Sequence, residues 1–387
     1  MPARAKISQH GAFMRRDAPR VVIAGAGAAG LSLAHALSLR GINTLICDAG
    51  KAGQGALAAS AGMIAPGAEI GEARSRPHDR SRAFAALAQH SAAMWPDWAA
   101  RLLAETGIDP AYRPCGSLVP LREAGMVDSF AALGVEGEWL HGAALQARLP
   151  GACLPDGALF LPGDAQVSSL QLTHALMTSL DRKGVEIREN TRVTSLVRSG
   201  GGWRVFTESG ETIDTDYVVL AAGWAATQLH PSAAEIYPVK GQAVMLDAGE
   251  ESASWPLLRA GNVYLAAKPG GRLIVGASVE PGRSNGAVDP AVAQGMLQRA
   301  ARYLPGVAQM NLLAHWAGVR PALPGLMPRA GLAEPGLVVA LGAYRHGVML
   351  APALAEGLAA LIDEGRLPDI LAPFAPDTVN EGLSSAR

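Results

Sequence analysis

Cysteine, lysine and aromatic side chains are all scarce in this 387-residue chain. Three cysteines (Cys47, Cys115, Cys153) leave at least one unpaired, and none has zinc-ligand spacing. A disulfide scaffold and a metal ribbon are therefore excluded. Net charge is lacking too: 33 Lys+Arg against 34 Asp+Glu leaves −1, which argues against nucleic acid as a partner. No apolar run reaches the roughly 18 residues a bilayer demands without glycine, proline or charge interrupting it, so no membrane span is expected. The stretch 351–362 is too short to cross and reads as a buried helix. What remains is plentiful apolar content, 49% of residues, with 45 glycines, which excludes a disordered chain and points to a globular α/β protein. A cytoplasmic location is expected. The polar, basic residues 1–19 are expected to form a disordered leader and 371–387 an irregular tail.

Periodicity places a strand at 21–25, a helix at 28–40 and a strand at 43–47, a βαβ opening. Helices follow at 80–105, at 169–182 with Ser168 or Ser169 as cap, at 289–303 and from about 347 to 363. Strands are expected at 185–189, 192–198, 202–207, 211–214, 217–221, 236–247, 262–279 and 337–341. Dinucleotide-type elements open the chain, return near 185–223 and close it. The expected fold class is α/β: a Rossmann-like cofactor domain (20–85, 161–235 and 319–370) interleaved with an α+β substrate domain (86–160 and 236–318) on a mixed or antiparallel sheet.

The turn between the first strand and helix reads Gly25-Ala26-Gly27-Ala28-Ala29-Gly30. Gly25 makes the tight turn, Gly27 admits a pyrophosphate to the backbone, and Gly30 lets helix and strand pack closely. Asp48 lies 23 positions after Gly25, at the end of the second strand, where a carboxylate accepts hydrogen bonds from ribose hydroxyls. The motif predicts a dinucleotide without separating FAD from NAD. Two further stretches rich in small residues suit close approach to a flat ligand: 53–66, with Met63 as an apolar wall, and 216–224, ending at Gly223.

With these motifs the chain resembles the D-amino acid oxidase superfamily of FAD oxidoreductases, and within it glycine oxidase of the thiamine-pathway type. The resemblance spans residues 20–363. It is carried by Gly25–Gly30 with Asp48, Ser60–Met63, Tyr237–Gln242, Gly271–Ala277, Trp316–Pro321 and Gly342–Pro352. It implies non-covalent FAD and oxidative deamination of a small amino acid or amine, by hydride transfer to flavin N5, with dioxygen as acceptor. It also implies that Ala28, Ala29, Asp48, Ala49, Ala56, Leu57, Ala61, Gly62 and Met63 contact FAD, and that Val193 holds the adenine through its backbone. The segment Ala343, Tyr344, Arg345, His346, Gly347, Val348 and Met349 would set helix-terminal amides near the flavin N1–O2 edge. By the same resemblance Arg345 clamps the substrate carboxylate, Tyr264 adds a hydroxyl to it, and Arg320 lies beside flavin and substrate. Planar bidentate recognition of a carboxylate is why arginine is preferred at such positions. No general base is needed if the amine arrives neutral and hydride leaves directly, and the sequence offers no Ser/His/Asp or Cys/His triad. His346, beside the clamp, could tune protonation, or be a partly exposed loop histidine. Departures from the family pattern at Ala322–Arg329 and Ala343 are apolar and predict a pocket suited to a larger or more hydrophobic amine. A dehydrogenase passing electrons to a quinone or partner, and a flavin subunit active only in a complex, are the alternatives. Homo-oligomerisation is left open.

Overall fold

In the computed structural model, which describes residues 18–73, 80–121 and 127–376, strand Val21–Ala24 runs parallel to Thr44–Cys47 on one side and Tyr217–Leu220 on the other. Most of the expected leader and tail lies outside the described residues. Leu337–Leu341 and Glu186–Arg188 extend the sheet in parallel, and Arg329–Glu334 closes one edge in antiparallel fashion, making six strands. The central strands read as unbroken apolar runs because both faces of a parallel sheet are covered; Val21, Val22 and Ile23 are fully buried. Helices Ala28–Leu39, Arg80–Thr106, Ser169–Arg182 and Ala351–Glu364 share one core with that sheet. A three-stranded antiparallel sheet (Val193–Ser199, Gly202–Thr207, Thr212–Thr215) joins a second core through Trp203, Val205 and Ile213.

A nine-stranded mixed sheet is assembled from 117–161 and 237–322. Its longest strands, Tyr237–Asp247 and Asn311–Ala322, pair antiparallel, and Leu257–Ala260 meets Ser117–Pro120 in parallel. Helix Pro290–Ala301 packs on it through Ala293, Met296 and Ala300. Among the described residues no helix is long and apolar enough to cross a membrane.

The glycine turn has a steric basis. Gly25 sits at φ +111°, and a Cβ there would strike the carbonyl of Ala221; one on Gly30 would strike the carbonyl of Gly25. Ser168, rather than Ser169, caps its helix: the Oγ accepts from the Gln171 amide at 3.3 Å. Several elements differ from expectation. The last helix starts at Ala351 rather than 347, because Tyr344 at φ 49° bends the preceding segment and Pro352 fits the first helical turn. The strand Asn311–Ala322 was not anticipated, and neither was the short helix Pro66–Ala73.

Candidate active site between two sheets

A cavity of about 620 Å³ is lined by the glycine turn, the 54–65 loop, the strand ends of the parallel sheet and the inner face of the nine-stranded sheet. All the residues expected to touch cofactor or substrate line it except Gly30, whose part is packing helix against strand. Met63, Val193, Gly223, Tyr264, Arg320 and the whole segment 343–349 are thereby brought together from six separate stretches of chain.

The residues at the nucleotide end fit a dinucleotide. Helix Ala28–Leu39 has Gly27 as its N-cap with no side-chain hydrogen bond, so its first amides are not spent on a capping side chain. Nothing lies within 4 Å of where a Cβ on Gly27 would point. Asp48 accepts from the Ala26 amide through Oδ2 at 2.7 Å and from the Gly50 amide through Oδ1 at 2.8 Å. It therefore holds the glycine turn in place, and each oxygen keeps a second lone pair for a ribose hydroxyl.

A buried charge cluster occupies the substrate side. Helix Pro66–Ala73 is anchored at its start by Asp164, whose carboxylate accepts from the amides of Gly67 (2.9 Å) and Ala68 (3.3 Å). That helix carries Glu69 into the cavity wall at 7% exposure. Arg259, from Leu257–Ala260, reaches Glu69 Oε1 at 2.9 Å. Arg345 donates to Oε2 through Nε (2.9 Å) and Nη2 (2.7 Å), and His346 Nε2 lies 3.0 Å from the same oxygen. Burial pushes the Glu69 carboxyl up, but Arg259, then Arg345 and His346, overcome it and hold the acid well below its ordinary range. Burial, outweighing the pull of Glu69, lowers His346. The cluster thus holds an ionised Glu69 and a neutral His346 that donates Nε2–H, leaving Nδ1 buried with no hydrogen-bond partner among the described residues. The histidine is buried at 7% exposure, not a half-exposed loop residue.

Arg320 is placed differently. Its Nη1 donates to the Ser278 carbonyl at 3.2 Å, and no carboxylate pairs with it among the described residues. Gly241 on the neighbouring strand leaves the space its guanidinium fills, and Gly276 does the same for the Tyr264 ring. The Tyr344 ring lies 5.9 Å from the Arg320 guanidinium and 5.7 Å from that of Arg345. Burial raises the Tyr264 phenol, against the pull of Arg320 and Arg259, so its hydroxyl stays a donor.

The model for FAD dependent oxidoreductases (DAO) matches residues 20–361. The chain belongs to this family. Its cofactor is FAD, which resolves the choice the glycine motif left open. Glycine oxidase of Geobacillus kaustophilus is 31% identical over 370 residues, 92% of this chain and 96% of that protein. The crystal structure of glycine oxidase from Geobacillus kaustophilus superposes with a TM-score of 0.83 at 30% identity, covering 92% of this chain and 98% of the other. The bifunctional protein ThiO/ThiG of Nostoc sp. is 33% identical across 93% of this chain, which spans only 55% of that longer relative.

Glu69 and Arg259 escaped the sequence reading. Glu69 follows Pro66 in the first turn of an eight-residue helix too short to show periodicity. Arg259 offered a signal, a lone cation inside the apolar run Trp255-Pro256-Leu257-Leu258-Arg259-Ala260. A charge in such a run needs a buried partner.

Proposed function

We propose that this FAD oxidoreductase oxidatively deaminates a small amino acid (glycine, sarcosine or a small D-amino acid), giving an imine, then an oxo acid and ammonia (methylamine from sarcosine), with dioxygen reduced to hydrogen peroxide. The observation that carries the reading is Arg320: a guanidinium with no carboxylate partner among the described residues, facing the cavity beside a protonated Tyr264. A substrate carboxylate supplies the missing partner, gripped by the Arg320 fork and the Tyr264 hydroxyl. Arg345, the expected clamp, spends two donors on Glu69, so its part here is to flank the carboxylate and brace Tyr344.

Bound FAD supplies the hydride acceptor for the substrate carbon. The chain's own work is to orient that carbon and exclude bulk water. The Arg320–Tyr264 grip fixes one end of the substrate, and Met63, Val348 and Met349 add apolar surface to the cavity lining. His346 keeps its Nε2 proton on Glu69, so no base is assigned for the amine, which reacts in its neutral form. Water then hydrolyses the imine.

A second reading has its own support: hydrogen cyanide synthase subunit HcnC of Pseudomonas aeruginosa is 29% identical over 92% of this chain, and its name marks it as a subunit. In this reading the chain is a dehydrogenase that passes electrons to a quinone or partner chain. Oxygen consumption and peroxide release on glycine, sarcosine and D-alanine test the proposal. Peroxide equimolar with substrate consumed supports it. Turnover only with an added quinone favours the second reading, and no turnover with any amine under either condition refutes both.

A further inference from the structure

Arg259 has no part in the grip just described, yet it is 6% exposed inside the wall of the same cavity. It is paired across the strands with Tyr264, so both side chains leave the same face of the nine-stranded sheet. Its Nη2 takes Oε1 of Glu69, while Arg345 and His346 crowd onto Oε2. The Arg345 guanidinium in turn lies 5.7 Å from the Tyr344 ring, and the Arg320 guanidinium lies 5.9 Å from it. Contacts therefore run without a gap from Arg259 through Glu69, Arg345 and Tyr344 to Arg320. They tie the nine-stranded sheet to the Pro66–Ala73 helix and to the segment after Leu337–Leu341.

We propose that Arg259 is a positioning residue for the substrate carboxylate: by holding Glu69 Oε1 it fixes the Glu69–Arg345 fork, and so the Tyr344 ring and the Arg320 guanidinium that grips the substrate. Two features argue for action through Glu69. A buried carboxylate is costly unless its oxygens are satisfied, and removing a partner from one oxygen frees the group to turn. All three contacts at the other oxygen depend on its orientation. Tyr344, at φ 49°, sits in a backbone conformation that its surroundings must maintain, which makes it sensitive to the loss of either flanking guanidinium.

The inference rests on the amino-acid reading above, and its test separates the two. Holoenzyme is titrated with sodium acetate, following the shift in flavin absorbance, and assayed in parallel for KM and kcat. Arg259→Met is expected to weaken acetate and raise KM roughly tenfold, with kcat changing less, within the range of couplings between touching residues. Arg259→Lys should recover most of that loss. The decisive comparison is between Glu69→Gln and the double variant Glu69→Gln with Arg259→Met, which leaves no buried charge of the pair stranded and so serves even if Arg259→Met alone does not fold. Action through Glu69 predicts that the double variant binds acetate within about twofold of Glu69→Gln. A further tenfold loss would show that Arg259 contacts the ligand itself, and an unchanged acetate affinity in Arg259→Met would show that it positions nothing. Either overturns the proposal alone. If neither acetate nor any amine perturbs the wild-type flavin, the amino-acid reading falls as well.

Discussion

Arg320 and Lys268 are two half-buried cations with opposite meanings. Arg320 lacks a carboxylate partner among the described residues and faces the cavity, so removing it should cost binding rather than folding. Arg320→Ala is expected to lower kcat/KM by roughly ten- to a hundredfold, the worth of a charge-assisted hydrogen bond, with Arg320→Lys between it and wild type. Lys268 lies outside the cavity and donates to the Val167 carbonyl at 2.8 Å; burial pulls its pKa down to about 7. Because the folded value lies below the unfolded one, its contribution to stability is fully present only above the ordinary lysine range and is lost as pH falls towards 7. Urea denaturation of Lys268→Met between pH 7 and 10 should therefore show a flatter stability profile than wild type, with a gain at pH 7. The residue scale was partly legible. Gly25, Asp48, Tyr264 and Arg320 carry recognisable spacing or motif context. Glu69 and Arg259 mean something only together, and 190 positions of chain separate them.

At the scale of elements, the short Pro66–Ala73 helix matters beyond its size because it presents Glu69 and takes its cap from Asp164, 97 positions away from Gly67. Burial raises the Asp164 carboxyl to about 6, against hydrogen bonds from the Gly67 and Ala68 amides. A folded pKa above the unfolded one means stability present below the ordinary aspartate range and lost as pH rises through 6. Asp164→Ala should remove that fall between pH 4 and 6 and lose about 1 kcal/mol of capping energy, read as a lower Tm near pH 4, where the wild-type contribution is still present. Gly25→Ala attacks a different element: a side chain at φ +111° against the Ala221 carbonyl should abolish FAD retention on a desalting column. Periodicity and turn chemistry were enough for the βαβ opening and the 169–182 helix. They missed Asn311–Ala322, whose Trp316-Ala317-Gly318-Val319-Arg320-Pro321 core mixes strand formers with glycine and proline and shows no alternation. That strand's place comes from pairing with Tyr237–Asp247, a long-range fact no local window contains.

For the whole molecule, the cavity is shared by two sheets built from interleaved stretches of chain, so its occupant contributes to holding them together. Adding FAD to protein stripped of it should raise Tm by several degrees, with about 2.7 kcal/mol expected at a hundredfold excess over Kd. The central claim is that an amino-acid carboxylate docks on Arg320 so that the substrate carbon faces the flavin. Its most direct test is an anaerobic absorbance titration of FAD-loaded wild type and Arg320→Ala with glycine, sarcosine and D-alanine. The account predicts bleaching of the wild-type flavin by at least one of these amines, and the same end point in Arg320→Ala only at much higher amine concentration. Wild-type flavin that stays oxidised with all three, or an Arg320→Ala protein that bleaches at the same concentration as wild type, would contradict it.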